Sequence, residues 1–425
     1  MTVTPCYSAL DYGGVGHDIK LPRMAVEMTD LRPEKITKSS IGSISKLSVV
    51  LSIPESDLSA ILKILPENRY KKITIPKGVG GERIVYSATP LLRKIQHRIN
   101  TRIFKKLIKW PPYLYGSLPN DKELVGGQTK TTVQRDYIAC AQNHCGAKSI
   151  LKLDIANFFE NIHRDTVKKI FRKFFHYPEN VSDYLTEVCC YGDTLVQGAL
   201  TSSYLASLCM WDTEYKVIQK LSRRNLVYTR LVDDITISSK HRGYDFRNAE
   251  SHVRAMMLKK DFPLNLSKTK IMRAGSSPLL VHGLIVNFRT PRLPSSEISR
   301  IKASVNNLVK ASATDNYRTT YSFRAQYFRC LGRVNRLARV NHNKHEYLIN
   351  KLKKIRPKPC KTDIERVENA IDRLKSLKDK TTDSYRRIYN IARYRIGIVS
   401  RSFDRKSMIL LSELKKLEKP VSKID

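Results

Sequence analysis

The stretch Tyr228-Thr229-Arg230-Leu231-Val232-Asp233-Asp234-Ile235-Thr236-Ile237-Ser238 decides how this chain is read. Two adjacent carboxylates lie between two short runs rich in β-branched and apolar residues. That pattern predicts a β-hairpin with both acids at its tip, where a tight turn tolerates Asp. Adjacent carboxylates repel each other unless a cation sits between them. A divalent metal meets that need, and Mg²⁺ takes carboxylate oxygens. An Asp-Asp pair by itself is more often an ordinary acidic turn, so the rest of the chain has to decide.

The chain has 425 residues, with 77 Lys and Arg against 39 Asp and Glu, for a formal net charge of +38. Self-repulsion of that size opposes compaction and points to a polyanionic partner. The positive charge runs from end to end, so a folded surface that tracks a phosphate backbone explains it better than a basic tail. Attraction to a membrane is the competing reading. No apolar run is long enough to span a bilayer, and Met1-Thr2-Val3-Thr4-Pro5-Cys6 is unlike a signal peptide, so no membrane partner is expected. The eight cysteines form no C-x-x-C pair. They read as reduced thiols of a cytoplasmic protein, and a zinc nuclease module is not supported.

Periodicity organises the rest. Residues 45–65 carry helical spacing, broken by a turn at Pro54. A hairpin is predicted from Tyr70 to Tyr86, with Lys77-Gly78-Val79-Gly80-Gly81 as its loop. A basic amphipathic helix follows from Leu91 to Trp110, entered through Thr89-Pro90. Ser149 to Ile155 reads as a strand ending in Asp154, and Thr201 to Lys220 as a helix. After the acidic hairpin come a helix near 249–260 and short strands near 270–272 and 280–287. The order strand, helix, hairpin, helix suits a small mixed sheet of the split β-α-β type with helices on one face. Beyond Pro294 the pattern is helical, with a hinge at Pro357-Lys358-Pro359.

Asp154 ends an apolar strand and is followed by Phe158-Phe159, which places it at a sheet edge as a third acid. Leu153-Asp154-Ile155-Ala156-Asn157-Phe158-Phe159 resembles the first palm motif of bacterial reverse transcriptases, and Leu231-Val232-Asp233-Asp234 resembles their Tyr-x-Asp-Asp motif. Leu195-Val196-Gln197-Gly198-Ala199-Leu200-Thr201-Ser202-Ser203 is similar to the Gln-Gly motif between them. Ile75-Pro76-Lys77, Gly80-Gly81 and Arg83 resemble the fingers hairpin. Leu264 to Lys270 and Val281 to Asn287 resemble the last palm motifs, and Leu331 to Leu337 the thumb helix. The resemblance covers roughly residues 45–345, in order.

It implies an α+β right-hand polymerase. An N-terminal segment would occupy 1–44, fingers 45–148, palm 149–290, a helical thumb 291–356, and a helical C-terminal extension 357–425. Asp154, Asp233 and Asp234 would be catalytic carboxylates holding two Mg²⁺ ions, with Mn²⁺ as a substitute, and the Ile155 backbone carbonyl would be a further ligand. Lys77 and Arg83 would grip the triphosphate of an incoming dNTP. Phe159 would exclude a 2′-hydroxyl, although an aromatic there is on general grounds more often core. Gln197 and Gly198 would line the template and nucleotide pocket, where Gly admits close backbone approach. Lys268, with Lys270 as a rival, would give a proton to pyrophosphate.

The chain departs from the pattern at Leu231, where the family has Tyr. Val196, Leu200 and Ser203 replace three prolines of the Gln-Gly motif. Val281-His282-Gly283 stands where retron enzymes have Val-Thr-Gly, and Asn143-His144 lacks the spacing of their Asn-Ala-x-x-His element. The resemblance to a true retron enzyme is on this reading partial, and the defence-associated and abortive-infection enzymes are the expected neighbours. The implied product is cDNA, made with a dedicated structured non-coding RNA as template or primer source. The alternatives are a template-independent or protein-primed polymerase and a non-catalytic RNA-binding scaffold.

Overall fold

The computed structural model describes residues 31–76, 81–125, 128–275, 277–377, 379–380 and 382–417. The chain divides into two compact units, residues 1–113 with 163–220 and residues 114–162 with 221–425.

In the first unit, helices Ile44–Leu51 and Glu55–Lys63 fall on either side of Pro54, and Ser43 caps the first by accepting from the Lys46 N–H. The hairpin pairs Tyr70–Pro76 with Glu82–Ala88 and sets Ile75 opposite Arg83. Lys77 lies outside the described residues. Pro90 opens the next helix at its first turn, as its fixed φ favours. That helix is not regular to Trp110. It widens into a π turn at Asn100–Phe104 and gives way to a strand pair of Ile108–Lys109 with Glu34–Lys35. Asn100 Nδ2 bonds the Leu200 carbonyl at 2.7 Å, a tertiary partner that local propensity does not reveal. The single helix expected over 201–220 is two, Ser202–Leu208 and Glu214–Ser222. The carbonyl of Met210 takes the N–H of both Thr213 and Glu214 at the break.

The second unit holds a five-stranded sheet. Ser149–Asp154 and Asp234–Ser239 lie antiparallel at its centre. Lys270–Arg273 flanks the first, Val227–Leu231 flanks the second, and Leu114–Tyr115 adds a parallel edge. Strand alternation separates two faces. Leu151, Leu153, Ile235 and Ile237 point into the core on one side. Lys152, Asp154, Asp234, Thr236 and Ser238 share the other. Helices Ser295–Ala311, Tyr321–Arg339 and Lys344–Lys354 bury Val305, Val334 and Leu348 in a core continuous with Ile150 of the central strand.

Helices Lys361–Ser376, Asp383–Val399 and Asp404–Lys416 form a core of their own around Ile371, Tyr389 and Leu410. Arg324 of the preceding bundle joins them through both oxygens of Asp363, at 3.0 and 2.7 Å. The sequence missed the hairpin Asp121–Val125 with Gln128–Val133, a polar stretch without apolar alternation. Among the described residues, no helix is long and apolar enough to cross a membrane.

Candidate active site

The acidic hairpin closes through two residues, Val232 and Asp233, because Leu231 pairs with Asp234. The acids are therefore not equivalent. Asp233 lies in the turn, and Asp234 is the first residue of the returning strand. Val232 takes φ +60, a region that β-branched residues rarely enter. Two contacts hold it there. The fully buried Arg230 donates from its guanidinium to the Val232 carbonyl at 3.0 Å. Gly116 leaves room for the valine, since a Cβ on Gly116 would lie 2.9 Å from Val232 Cγ2.

Asp154 ends the central strand directly across from Asp234. The Ile155 N–H donates to the Asp233 carbonyl at 3.1 Å, tying the turn to the end of that strand. Ile155 also bridges to Leu264 through its neighbours, Ala156 N–H to Pro263 and Asn265 N–H to Asp154, both at 2.8 Å. Its own carbonyl stays outside that pairing. All three acids thus converge at one end of the sheet, fixed by backbone hydrogen bonds on rigid elements.

Lysines already meet two of them. Lys268 Nζ donates to Asp154 Oδ2 at 2.9 Å from a mostly exposed position, and Lys152 Nζ donates to Asp234 Oδ2 at 2.9 Å. His282 Nδ1 lies 3.5 Å from the same Asp234 oxygen. The other oxygen, Asp234 Oδ1, is buried and has no hydrogen-bond partner among the described residues. Burial pushes the Asp233 carboxyl above its ordinary range, and the neighbouring Asp154 and Asp234 push it further. Burial also pushes Asp234 up, but the hydrogen bond from His282 and the Lys152 cation outweigh it and hold that carboxyl below its ordinary range.

Among the described residues, no three His, Cys, Asp or Glu side chains converge tightly enough to close on one ion. The donor set nevertheless fits hard divalent cations. It is all oxygen, it gathers like charges, and it keeps a buried carboxylate oxygen unpaired. Asp154, Asp233, Asp234 and the Ile155 carbonyl are the groups that would hold such ions.

Of the remaining expected residues, Phe159 is half-buried and Phe158 is core, its ring packed edge-on against Phe262 at 5.5 Å. Lys270 sits in the flanking strand opposite Lys152. Arg83 is exposed on its hairpin strand in the first unit, and Gln197 and Gly198 belong to that unit too. The backbone that Gly198 admits is the chain's own. The Gln197 carbonyl accepts from the Tyr86 N–H at 2.8 Å, and a Cβ on Gly198, at φ +108, would lie 2.4 Å from the Tyr86 oxygen.

Sequence reading passed over Lys152, His282 and Gly116. Lys152 was legible, because it stands two residues before Asp154 and a strand puts such residues on one face. His282 was noted only as a departure from a motif. Nothing local marks Gly116, whose partner is distant in sequence.

A sheet that presents three carboxylates at one end, two on a hairpin and one on the adjoining strand, defines the palm of a nucleotidyl-transfer polymerase. The family "Reverse transcriptase (RNA-dependent DNA polymerase)" matches residues 75–332. Over 378 residues the chain is 43% identical to the retron Ec48 reverse transcriptase of Escherichia coli, covering 88% of this chain and 92% of that protein. The retron Se72 reverse transcriptase of Salmonella heidelberg (strain 579083-10) is 31% identical over 310 residues, 71% of this chain and 76% of that one. Among solved structures, apo telomerase from Candida tropicalis is similar at 12% identity and a TM-score of 0.38, over 82% of this chain and 64% of that one.

The chain belongs to the retron-type reverse transcriptases, with their α+β polymerase fold and RNA-directed DNA polymerase activity. The distance from retron enzymes inferred from Val281-His282-Gly283 and Asn143-His144 was therefore too large. At the first of these the backbone explains the tolerance. His282 and Gly283, at φ +49 and +78, form a two-residue turn between the strands Leu280–Val281 and Leu284–Ile285. That turn asks for residues at ease with positive φ.

Proposed function

We propose that this enzyme copies a dedicated structured non-coding RNA into cDNA by two-metal nucleotidyl transfer, in bacterial antiphage defence. One observation carries the chemistry: Asp154 and Asp234 are cross-strand partners, and Asp233 is tied to the same strand end through Ile155. The reaction joins a primer 3′-hydroxyl to the α-phosphorus of a dNTP and releases pyrophosphate. What bound Mg²⁺ ions, or Mn²⁺ in their place, supply there is activation of the hydroxyl and neutralisation of the leaving charge.

The chain's own residues do the rest. Asp154, Asp233 and Asp234 hold the reacting centre on paired strands, so little reorganisation accompanies the reaction. Lys268 Nζ, at the exposed edge of the cluster, is the donor for the departing pyrophosphate. Lys77 and Arg83 bind the triphosphate, Gln197 and Gly198 line the nucleotide pocket, and Phe159 reads the sugar. The excess of basic residues suits an RNA template and its cDNA. The likeness to enzymes named for retrons supports a dedicated RNA and a role in defence.

The test is purification from the host followed by sequencing of the RNA and DNA that come with the protein. The expected DNA is complementary to one co-purifying RNA and is absent when Asp233 and Asp234 are both Ala. A product unrelated to any bound RNA overturns templating. For the sugar gate, Phe159→Ala should admit ribonucleotides, and unchanged dNTP preference removes that role.

A further inference from the structure

His282 belongs to no assigned function, yet its ring is only 8% exposed and both of its nitrogens are engaged. Nδ1 faces Asp234 Oδ2 at 3.5 Å, and Nε2 lies 3.2 Å from Cys140 Sγ. Burial pushes the Cys140 thiol up to about 12, so it stays protonated, and its one S–H is given to Thr229 Oγ1. The Asp234 carboxylate can only accept, so Nδ1, the nitrogen that faces it, is the one that carries a proton and donates. Behind this pair the packing is polar and closed. Cys140 Sγ is 3.3 Å from Thr229 Oγ1, and the buried His144 spans Thr229 and Ser238 at 2.7 Å each.

Lys152 reaches the same Asp234 oxygen from the other side. A lysine on a flexible stem gives charge without direction, whereas a buried imidazole held at both nitrogens sets an orientation. Together they occupy Oδ2 and leave Oδ1 as the buried, unpartnered atom.

We propose that His282 is a positioning residue that turns the Asp234 carboxylate so that Oδ1 is presented to a divalent cation. This rests on Asp234 being a metal ligand. The role depends on the hydrogen bond and not on filling space, and the turn geometry makes that separable. At φ +49 and followed by Gly283, position 282 accepts Gly or Asn without backbone strain. His282→Gly deletes the donor. His282→Asn keeps an amide N–H near the place of Nδ1.

The full-length protein is bound to an RNA template with a dideoxy-terminated primer and dNTP. Mn²⁺ affinity is then read by electron paramagnetic resonance, and kcat and KM for dNTP are measured on an extendable primer. His282→Gly should weaken Mn²⁺ binding and lower kcat by roughly 10–100-fold, as loss of a residue orienting a metal ligand does. RNA binding should not change, and His282→Asn should recover most of both losses. Wild-type Mn²⁺ affinity in His282→Gly overturns the proposal, and so does an equal loss in the two variants. Asp234→Asn is the control for the premise. If it too binds Mn²⁺ normally, the metal-ligand reading fails. If it alone loses the metal, only the role of His282 fails.

Discussion

Asp234 at the acidic hairpin and Asp363 at the start of the helix Lys361–Ser376 are both drawn out of solvent, and both meet cations. Their surroundings differ in one respect. Asp363 is 1% exposed, and every direction around it is filled: the Arg324 guanidinium grips both oxygens, and the Cys360 N–H and thiol add bonds to Oδ2. Asp234 has Lys152 and His282 on one oxygen and nothing on the other. A carboxylate that joins two helices is saturated, because each open lone pair away from water costs stability. The carboxylate proposed to take a metal ion keeps one buried oxygen open. The joint between the helical bundles and the proposed metal-binding end of the sheet thus use the same side chain for opposite purposes.

Breaking the open carboxylate should show in the rate. Asp234→Asn removes several kcal/mol of transition-state stabilisation, so nucleotide incorporation should fall by about 10³-fold or more with little change in thermal midpoint. Near-normal incorporation by a folded Asp234→Asn protein would erase the contrast. Breaking the saturated one should show in stability. Asp363→Ala strands Arg324 and should cost about 3 kcal/mol in denaturant unfolding, while incorporation per folded molecule holds. Here the contrast fails if the folded variant is inactive.

The third measurement is titration. Burial opposes the charged form of Asp363, but the Arg324 fork and the Cys360 bonds outweigh it and hold the carboxyl down at about 2. An unfolded Asp titrates near ~3.9. The folded value is the lower one, so the stabilisation is present above the unfolded value and is lost as pH falls from ~4 toward 2. Wild-type stability should decline across that window, and Asp363→Asn should flatten the decline. A slope unaltered by that substitution would mean that other groups carry it. The smallest effect belongs to the cap. Cys360→Ala removes the thiol bond and keeps the backbone N–H on Asp363, so it should cost only about 0.5 kcal/mol by chemical denaturation.

Much of the site was legible in the chain. Alternating apolar residues on either side of Asp233-Asp234 specify a hairpin, and Ser149 to Asp154 specifies a strand ending in an acid. These signals are local and periodic, so one strand at a time suffices. The long helices after Pro294 were legible for the same reason. The break near Met210 and the π turn at Asn100 were not, because their hydrogen bonds serve partners outside the local pattern. The non-equivalence of the two hairpin acids also stayed hidden. It follows from pairing Leu231 with Asp234, and register belongs to two strands and not to either alone.

The sequence by itself determined the acids, their order and the charge of the surface that would meet RNA, since residue identity and short-range spacing carry that information. Only the tertiary structure decided what each acid faces. Asp154 and Asp234 become neighbours across a strand pair. Lys152, Lys268 and His282 come to them from separate elements, and the oxygen left unpartnered is whatever those arrivals do not reach. Which lone pair stays open depends on distances between atoms far apart in the chain, and a linear pattern of residues holds no term for that.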